Sequence, residues 1–574
     1  MSDQHRAIDT SVIPGTVHLV DLAGTLNIKH DSEGGKKDVV LFPQPSKEYD
    51  DPLNWSRKRK LLNANVLLLV VFIGDIMCTL LSAALLVINE DTGISVTDLN
   101  RGIGVMYLFF GWSNLLWQPL GLTIGRRPVI LIALLWTIAM SVWTAYVTTR
   151  AEWYTNRVLI GCSYGPLETL VEICFSDIFF AHDRGFWIGM YCWVLFAIPF
   201  LGAVPAGFVA SNLGWEWIQY IASIISGALF LIVFFCMEES MFFRDPIQQE
   251  ITLEEANVKQ EDSDNGKTQP KEEEEQKISP PQVTTTTGDE KNFNATPPRT
   301  EAEFGNYEAN LGEAYIPKKT FLQKLKFWGA RRPGQPNNFF RSIWMPFALV
   351  RYPVILFSGL LVGSVLMWFN AVNATMSLVL SAPPYNFSAN MVGVMFIAPF
   401  IGCTLGCIFA GVSADRFAVW MARRKGGIFE PEYRLWMAVV PILLHTGGSI
   451  LFGSGAQHGV HWIGLAFGLV FMVGMFPVGA ALAINYIVDS YRECAGDAMV
   501  TMILLRNSMG FGFSYAITPW IERSGVQNTY IAIGFLGMFF WGLSFLYILI
   551  GKKTRKQSAK DYWAMVQKHG LSAH

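Results

Sequence analysis

Charge is what this sequence has least of. Only 16% of its 574 residues are Asp, Glu, Lys or Arg, and the net charge is −2. With the few charges segregated along the chain, a basic nucleic-acid-binding face is excluded. The motifs of catalysis are missing too. No metal-ligand spacing, phosphate loop or nucleophile motif occurs, and "GFGFSYAITPW" near Gly510 is a glycine-rich apolar helix, not a nucleotide loop. An enzyme is therefore not expected, nor a metal or cofactor. The eight cysteines all fall within or at the edge of apolar segments, which leaves no disulfide framework. Cys403 and Cys407 share a helix face, but Gly402, Gly406 and Gly411 surround them, and small-residue helix packing accounts for that pattern better than metal binding. Met1 to about Asn54 lacks the apolar core of a secretory signal, so the first apolar span is expected to serve as the signal itself.

Apolar surface is abundant: 51% of residues are hydrophobic, 41 are Phe and 19 are Trp, and the mean hydropathy is +0.31. That is the composition of an all-α, polytopic membrane protein. About twelve apolar spans are expected, at 61–88, 102–122, 128–148, 153–180, 186–210, 217–237, 352–380, 390–412, 434–454, 462–487, 496–520 and 529–550. They divide the chain into a tail (1–60), a six-helix bundle (61–237), a central loop (238–351), a second six-helix bundle (352–550) and a C-terminal tail (551–574). Lys and Arg cluster before the first span, at Arg126 and Arg127, Arg184, Arg416 with Arg423 and Arg424, Arg492 and after the last span; the opposite side offers only Arg101, Arg150 and Arg523. By the positive-inside rule both termini and the central loop are cytosolic.

The central loop begins acidic and Thr-rich, with too little apolar surface to fold, and is expected to be largely disordered. It turns basic at "KKTFLQKLKFWGARR", where Phe321, Leu325 and Trp328 can share a helix face lying on the anionic inner leaflet; a solvated linker with a basic end is the alternative.

"QPLGLTIGRRPV" (Gln118 to Val129) and "GVSADRFAVWMARRKGG" (Gly411 to Gly427) echo each other, as an internal duplication of six spans would leave them. With "DPLNWSRKRK", "DIFFAHDRG", "GWEW", "EES" and "NYIVDSYRECAGDAM", these stretches resemble the major facilitator superfamily, within it the fungal twelve-span drug:proton antiporter branch, and there the histidinol and polyamine carriers most. The resemblance covers nearly all of residues 50 to 550. It implies the major facilitator fold, with spans one, four, seven and ten lining a central cavity. It also implies that Arg157, in "RVLIGCSYG", takes part in proton coupling. Two departures stand out. Leu122 occupies the position of the family's loop Asp, so a gating bridge is expected from Asp415 and Arg416 in the second half, or from Asp183 and Arg184, beside the paired Arg126 and Arg127. The antiporter signature of span five is shifted, "LGAVPAG" carrying Gly202, Pro205 and Gly207.

A charge at mid-bilayer costs ~2.5 to 3.5 kcal/mol on insertion scales, so the ionisable residues inside spans are functional candidates. These are Asp75, Glu168, Glu172, Arg157 and Arg506. From helix rise, Asp75 lies ~21 Å above the cytosolic edge, Glu168 ~18 Å and Glu172 ~12 Å. Asp75 and Glu168 thus share a height near the midplane, and two nearby acids can carry a proton at one stage and a cation at another. The alternative is that Glu168 or Glu172 pairs with Arg157 or another helix and locks packing, or that Glu172 snorkels to the inner interface. Arg506 has no motif match and reads as a buried structural pairing. Span seven brings Trp368, Phe369, Asn370 and Asn373 near mid-depth, an aromatic face and amides suited to an organic cation or a flat hydrophobic molecule, or to ordinary packing with the Asn side chains hydrogen-bonded across helices. Pro199, Pro205 and Pro477 are hinge candidates or tolerated kinks. Of the sequons at Asn54, Asn294, Asn373 and Asn386, topology leaves Asn386 outside, hence glycosylated.

The expected function is a monomeric, proton-coupled transporter in the plasma membrane that exports a small organic molecule, its partners being substrate, protons and lipid. Uptake of a polyamine-like cation is the alternative, and a non-transporting nutrient sensor is an alternative of another class.

Overall fold

A computed structural model describes residues 13–15, 17–18, 51–179, 181–242, 339–424 and 428–569. In the first half they form α1 (Arg57–Thr79), α2 (Leu85–Thr92), α3 (Val96–Trp112), α4 (Asn114–Thr123), α5 (Arg126–Thr144), α6 (Arg150–Ile178), α7 (Ala181–Leu213) and α8 (Glu216–Cys236). The rest form α9 (Phe339–Leu349), α10 (Pro353–Ser381), α11 (Ala389–Met395), α12 (Ile397–Arg424), α13 (Val439–Gln457), α14 (Trp462–Val473), α15 (Phe476–Ser490) and α16 (Ala495–His569). A two-residue pair, β1 (Val17–His18) antiparallel to β2 (Ile428–Phe429), is the sole departure from helix pairing among the described strands. Helix is the expected choice in a bilayer, because every backbone N–H and C=O must be satisfied within its own segment.

The ends of the helices are written locally. Thr149 and Glu152 form a capping box at the start of α6, which fixes where the acid-bearing span begins. Ser95 accepts a hydrogen bond from the Asp98 N–H at the start of α3. Ten helices among the described residues are long and apolar enough to cross a membrane. The expected second span is not among them: it carries Ser113, Asn114, Gln118 and Pro119 among its apolar residues and is divided at Ser113 into α3 and α4. Spans eleven and twelve run together as α16 through a kink at Gly525, where φ is 76°. With both taken into account, the layout is two halves of six spans. Span ten is likewise divided, α14 ending at Val473 and α15 opening with Pro477 in its first turn, so this proline starts a helix where a hinge was one expectation.

Helix also forms within the central loop and the C-terminal segment. The last part of the central loop is ordered helix: α9 buries Met345, Pro346 and Leu349, and Thr501 donates to the Pro346 carbonyl at 2.9 Å. The segment after the last span is helical, and its Tyr562, Met565 and Val566 are buried. The acidic part of the loop and the basic stretch around Phe321, Leu325 and Trp328 lie outside the described residues.

Small residues set the helix spacing. A Cβ on Gly402 would lie 2.6 Å from the Val470 carbonyl oxygen, and one on Gly406 would collide with the Gly474 carbonyl, so α12 packs backbone to backbone against α14. Cys403 sits in that seam, its thiol directed at the Val473 carbonyl at 3.5 Å. Across the two halves, Gly104 and Gly111 of α3 admit Ser514 and Asn507 of α16; an added Cβ would meet each neighbour's Cβ at 2.6 Å. This close crossing brings the polar turn around Arg506 against the first half.

Candidate functional site

At the junction of the halves is a void lined by Asp75 (α1), Tyr107 and Phe110 (α3), Glu168 (α6), Phe196 and Pro199 (α7), Phe369 (α10) and Arg506 (α16), among others. Its volume open to the centre of a water molecule is about 40 Å³, room for a few waters. Spans one, four and seven contribute, as the resemblance implies. Span ten contributes none of the lining; spans two, five and eleven stand there instead.

Within the void the carboxylates differ in their surroundings. Glu168 is gripped by the Arg506 guanidinium in two parallel bonds, Nη1 to Oε1 at 2.6 Å and Nη2 to Oε2 at 2.9 Å. The Tyr191 hydroxyl also approaches Oε1 at 3.5 Å. Both partners are nearly solvent-free, with side chains 8% and 4% exposed. Asp75 lines the same void, is 7% exposed, and has no hydrogen-bond donor on its carboxylate among the described residues; Oδ2 is fully enclosed without a partner. An ionised carboxylate in such a place costs several kcal/mol unless something pairs with it. A proton, water or a cationic guest can relieve that cost. The next helix turn outward is held in place by the Thr79 hydroxyl, which donates to the Pro199 carbonyl at 2.8 Å and ties α1 to α7.

The remaining candidates separate. Glu172, one turn nearer the cytosol, is buried (6% exposed) rather than at the interface, lies outside the void, and leaves Oε1 unpaired. Arg157 is also buried outside it. Its guanidinium donates to Asn156 Oδ1 at 2.8 Å and Thr144 Oγ1 at 3.1 Å and lies 4.3 Å from the Trp153 ring, with no carboxylate partner among the described residues. The anticipated pairing of Glu168 is thus made by Arg506 and not by Arg157. Trp368 turns away from the void into the second half, 5.9 Å from the His445 ring and 5.5 Å from Phe513; its neighbour Phe369 takes the cavity position. A helix one residue out of phase swings a side chain by about 100°, enough to explain the exchange. Asn370 lines an adjoining void and donates to Gly510 O at 3.2 Å and Ser514 Oγ at 3.1 Å, bridging α10 and α16.

In span five, a Cβ on Gly202 would meet Ile76 at 2.9 Å, and one on Gly207 would meet the Ala389 carbonyl of the other half at 2.8 Å. Pro205 lies between them within an unbroken α7. The shifted "LGAVPAG" therefore lies along a contact between halves. Asn386 is exposed on the loop between α10 and α11, where φ is 48°.

Below the spans lies a charged layer with the same plan in each half. In the first, Arg126 pairs with Asp177, and Glu239 accepts from the backbone N–H groups of Arg126 (3.0 Å) and Arg127 (3.1 Å) at the positive N-terminus of α5. Gly125 makes this docking feasible: its φ is 118°, and a Cβ there would lie 2.6 Å from Glu239 Oε2. Arg127 donates to Phe234 O at 2.6 Å. In the second half, Arg434 pairs with Asp489 at 2.9 Å, and Arg555 grips Glu432 at 2.9 and 2.6 Å. The first-half pairing thus uses Asp177, at the end of span four. Leu122 leaves no gap, because the acid comes from the end of span four. The side chains of Asp183, Arg184 and Asp415 lie outside the described residues, and Arg416 is exposed.

Comparison with known proteins agrees with this architecture. An uncharacterized MFS-type transporter of Schizosaccharomyces pombe is 30% identical over 562 residues, 96% of this chain and 94% of that protein. Protein HOL1 of Saccharomyces cerevisiae is 27% identical over 575 residues, 96% of each. The MFS antiporter QDR3 of Candida albicans is 23% identical, covering 85% of this chain and 76% of its own length. Among solved structures, the xylose transporter XylE of E. coli in a partially occluded inward-open conformation superposes with a TM-score of 0.54 at 12% identity, over 84% of this chain and 97% of its own, a likeness of fold alone. A sequence model of the Major Facilitator Superfamily matches residues 67–514, and with a 30% identical relative spanning nearly the whole chain, this protein belongs to that superfamily.

Proposed function

We propose that this chain is a proton-coupled secondary transporter of the fungal drug:proton antiporter branch, near the histidinol and polyamine carriers, acting as a monomer in the plasma membrane to export a small organic molecule. The observation that carries the reading is Asp75, enclosed between the halves with no donor on its carboxylate, beside the Glu168–Arg506 pair. A carboxylate so placed takes either a proton or a cationic group, and the two exclude each other. Mutual exclusion at one site is the simplest way to make proton entry drive cargo exit. Tyr107, Phe110 and Phe369 supply aromatic faces for the cargo once the halves part. An antiporter among the relatives supports the exchange mode. The acids of the cavity also favour a second direction, uptake of a polyamine-like cation, and flux direction decides between them.

The test is labelled-cargo flux in vesicles with an imposed pH gradient. Asp75→Asn is expected to insert normally and lose gradient-driven flux. A wild-type protein inert toward every drug, amine and polyamine tried would overturn the carrier reading and leave a sensor. Normal flux in Asp75→Asn would return that residue to packing.

A further inference from the structure

Arg506 is the cavity residue whose role the proposed function leaves open. It belongs to the second half and Glu168 to the first, 338 positions apart in the chain, and their two bonds of 2.6 and 2.9 Å cross the boundary along which the halves must move. The contact is deliberate in its support. Gly111 lets Asn507 press against α3, the Phe110 ring lies 5.9 Å from the guanidinium, and Tyr191 backs the carboxylate from α7. Yet the grip is incomplete: Arg506 Nε is enclosed without a partner, and Asp75, with no donor of its own, lines the same void. The guanidinium therefore has a second carboxylate to turn to once Glu168 is taken.

We propose that Arg506 is a tethered cation that occupies Glu168 in the empty protein and clasps the two halves, so that a proton or cationic cargo arriving at Glu168 releases it. This rests on the carrier reading above and adds its regulation. The arriving group and Arg506 compete for one carboxylate, so loading the cavity and freeing the halves are a single event. Without cargo the clasp stays shut, which restrains empty cycling. Arg506 acts through Glu168 and is a positioning residue.

The clasp can be tested without any substrate. Ser211 of α7 and Asn390 of α11 touch across the halves at the end opposite the arginine-rich loops. In full-length protein carrying Ser211→Cys and Asn390→Cys, the rate of oxidative cross-linking reports closure there. Arg506→Gln is expected to slow cross-linking at least ~5-fold, the lower range of coupling between sites. Arg506→Lys should fall between it and wild type. The exchange Glu168→Arg with Arg506→Glu should restore the wild-type rate, which a merely structural loss would not do. An unchanged rate in Arg506→Gln overturns the clasp. If Arg506→Gln does not reach the membrane, the charge exchange decides alone: a folded exchange variant with wild-type cross-linking supports the clasp, and one that also fails overturns it. A wild-type protein without gradient-driven flux that passes the cross-linking test sinks the carrier reading and leaves the clasp standing. Flux with cross-linking indifferent to Arg506→Gln does the reverse.

Discussion

Replacing Arg555 tests the charged layer where it is most buried. The side chain is fully enclosed, and Glu432 opposite is 5% exposed. Two charge-assisted bonds join them at 2.9 and 2.6 Å, and Arg555 also donates to the Pro14 carbonyl, fastening the N-terminal segment beneath the second half. Arg555→Met keeps the volume roughly but leaves Glu432 with the Tyr486 hydroxyl, 3.4 Å away, as its donor. Stranding one member of a buried pair costs about 3 to 5 kcal/mol. That cost has a ceiling, because the stranded acid can take a proton instead. For an ordinary glutamate this costs about 3.7 kcal/mol at pH 7 and about 1.6 at pH 5.5. The expected loss is therefore about 3 to 4 kcal/mol near pH 7, shrinking as pH falls. The sign follows from proton supply: lowering the pH makes the neutral acid cheaper in the variant and does nothing for the paired wild type. Unfolding of a protein this size is read as a rate, so the assay is the half-life of monodisperse protein in detergent at fixed temperature, at pH 7 and 5.5. Glu432→Met with Arg555→Met should recover most of the loss, since two well-packed apolar residues replace a buried pair at little or no penalty. A single variant as long-lived as wild type at pH 7, or a deficit of the same size at both pH values, would refute the reasoning.

Two further outcomes follow from topology and packing. Asn386→Gln should abolish an endoglycosidase-sensitive shift in electrophoretic mobility in protein from a secretory-competent fungal host; a shift that persists places the glycan elsewhere and challenges the orientation. Gly406→Leu should sharply lower the folded yield, because any side chain there collides with the Gly474 carbonyl, whereas Gly447→Leu, with nothing within 4 Å of its added Cβ, should stay near wild type. Equal yields would show that α12 and α14 can part without penalty.

The fold was legible because a bilayer writes it in one dimension. Apolar runs give spans, and Lys and Arg give sides; Asp75 and Glu168 could be set at one height from helix rise alone. What hydropathy does not register is a break in regularity inside or between spans. Ser113 divides span two, and Gly525 turns a helix without interrupting its apolar pattern. The Phe339–Leu349 helix packs by contacts with α4 and α16 that no local pattern announces.

The site was less legible, because its chemistry depends on rotation about the helix axis and on partners hundreds of residues away. Trp368 and Phe369 are neighbours in sequence, yet one is core and the other lines the void. Arg506 was visible as an ionisable residue in an apolar span, and a buried pairing was the right expectation. What the sequence could not say is that its partner is Glu168, since Arg157 was the nearer candidate in the chain. The glycines offered a signal. Gly104 and Gly111 recur at a seven-residue spacing, two helical turns, and so mark one face of α3 as a place where another backbone comes close. A polar turn, "RNS", on a glycine-rich span is the natural occupant of such a face. Reading the glycine stripe and the intramembrane arginine as two halves of one contact would have placed Arg506 at the junction, and the unpaired state of Asp75 then follows from there being one guanidinium for two acids.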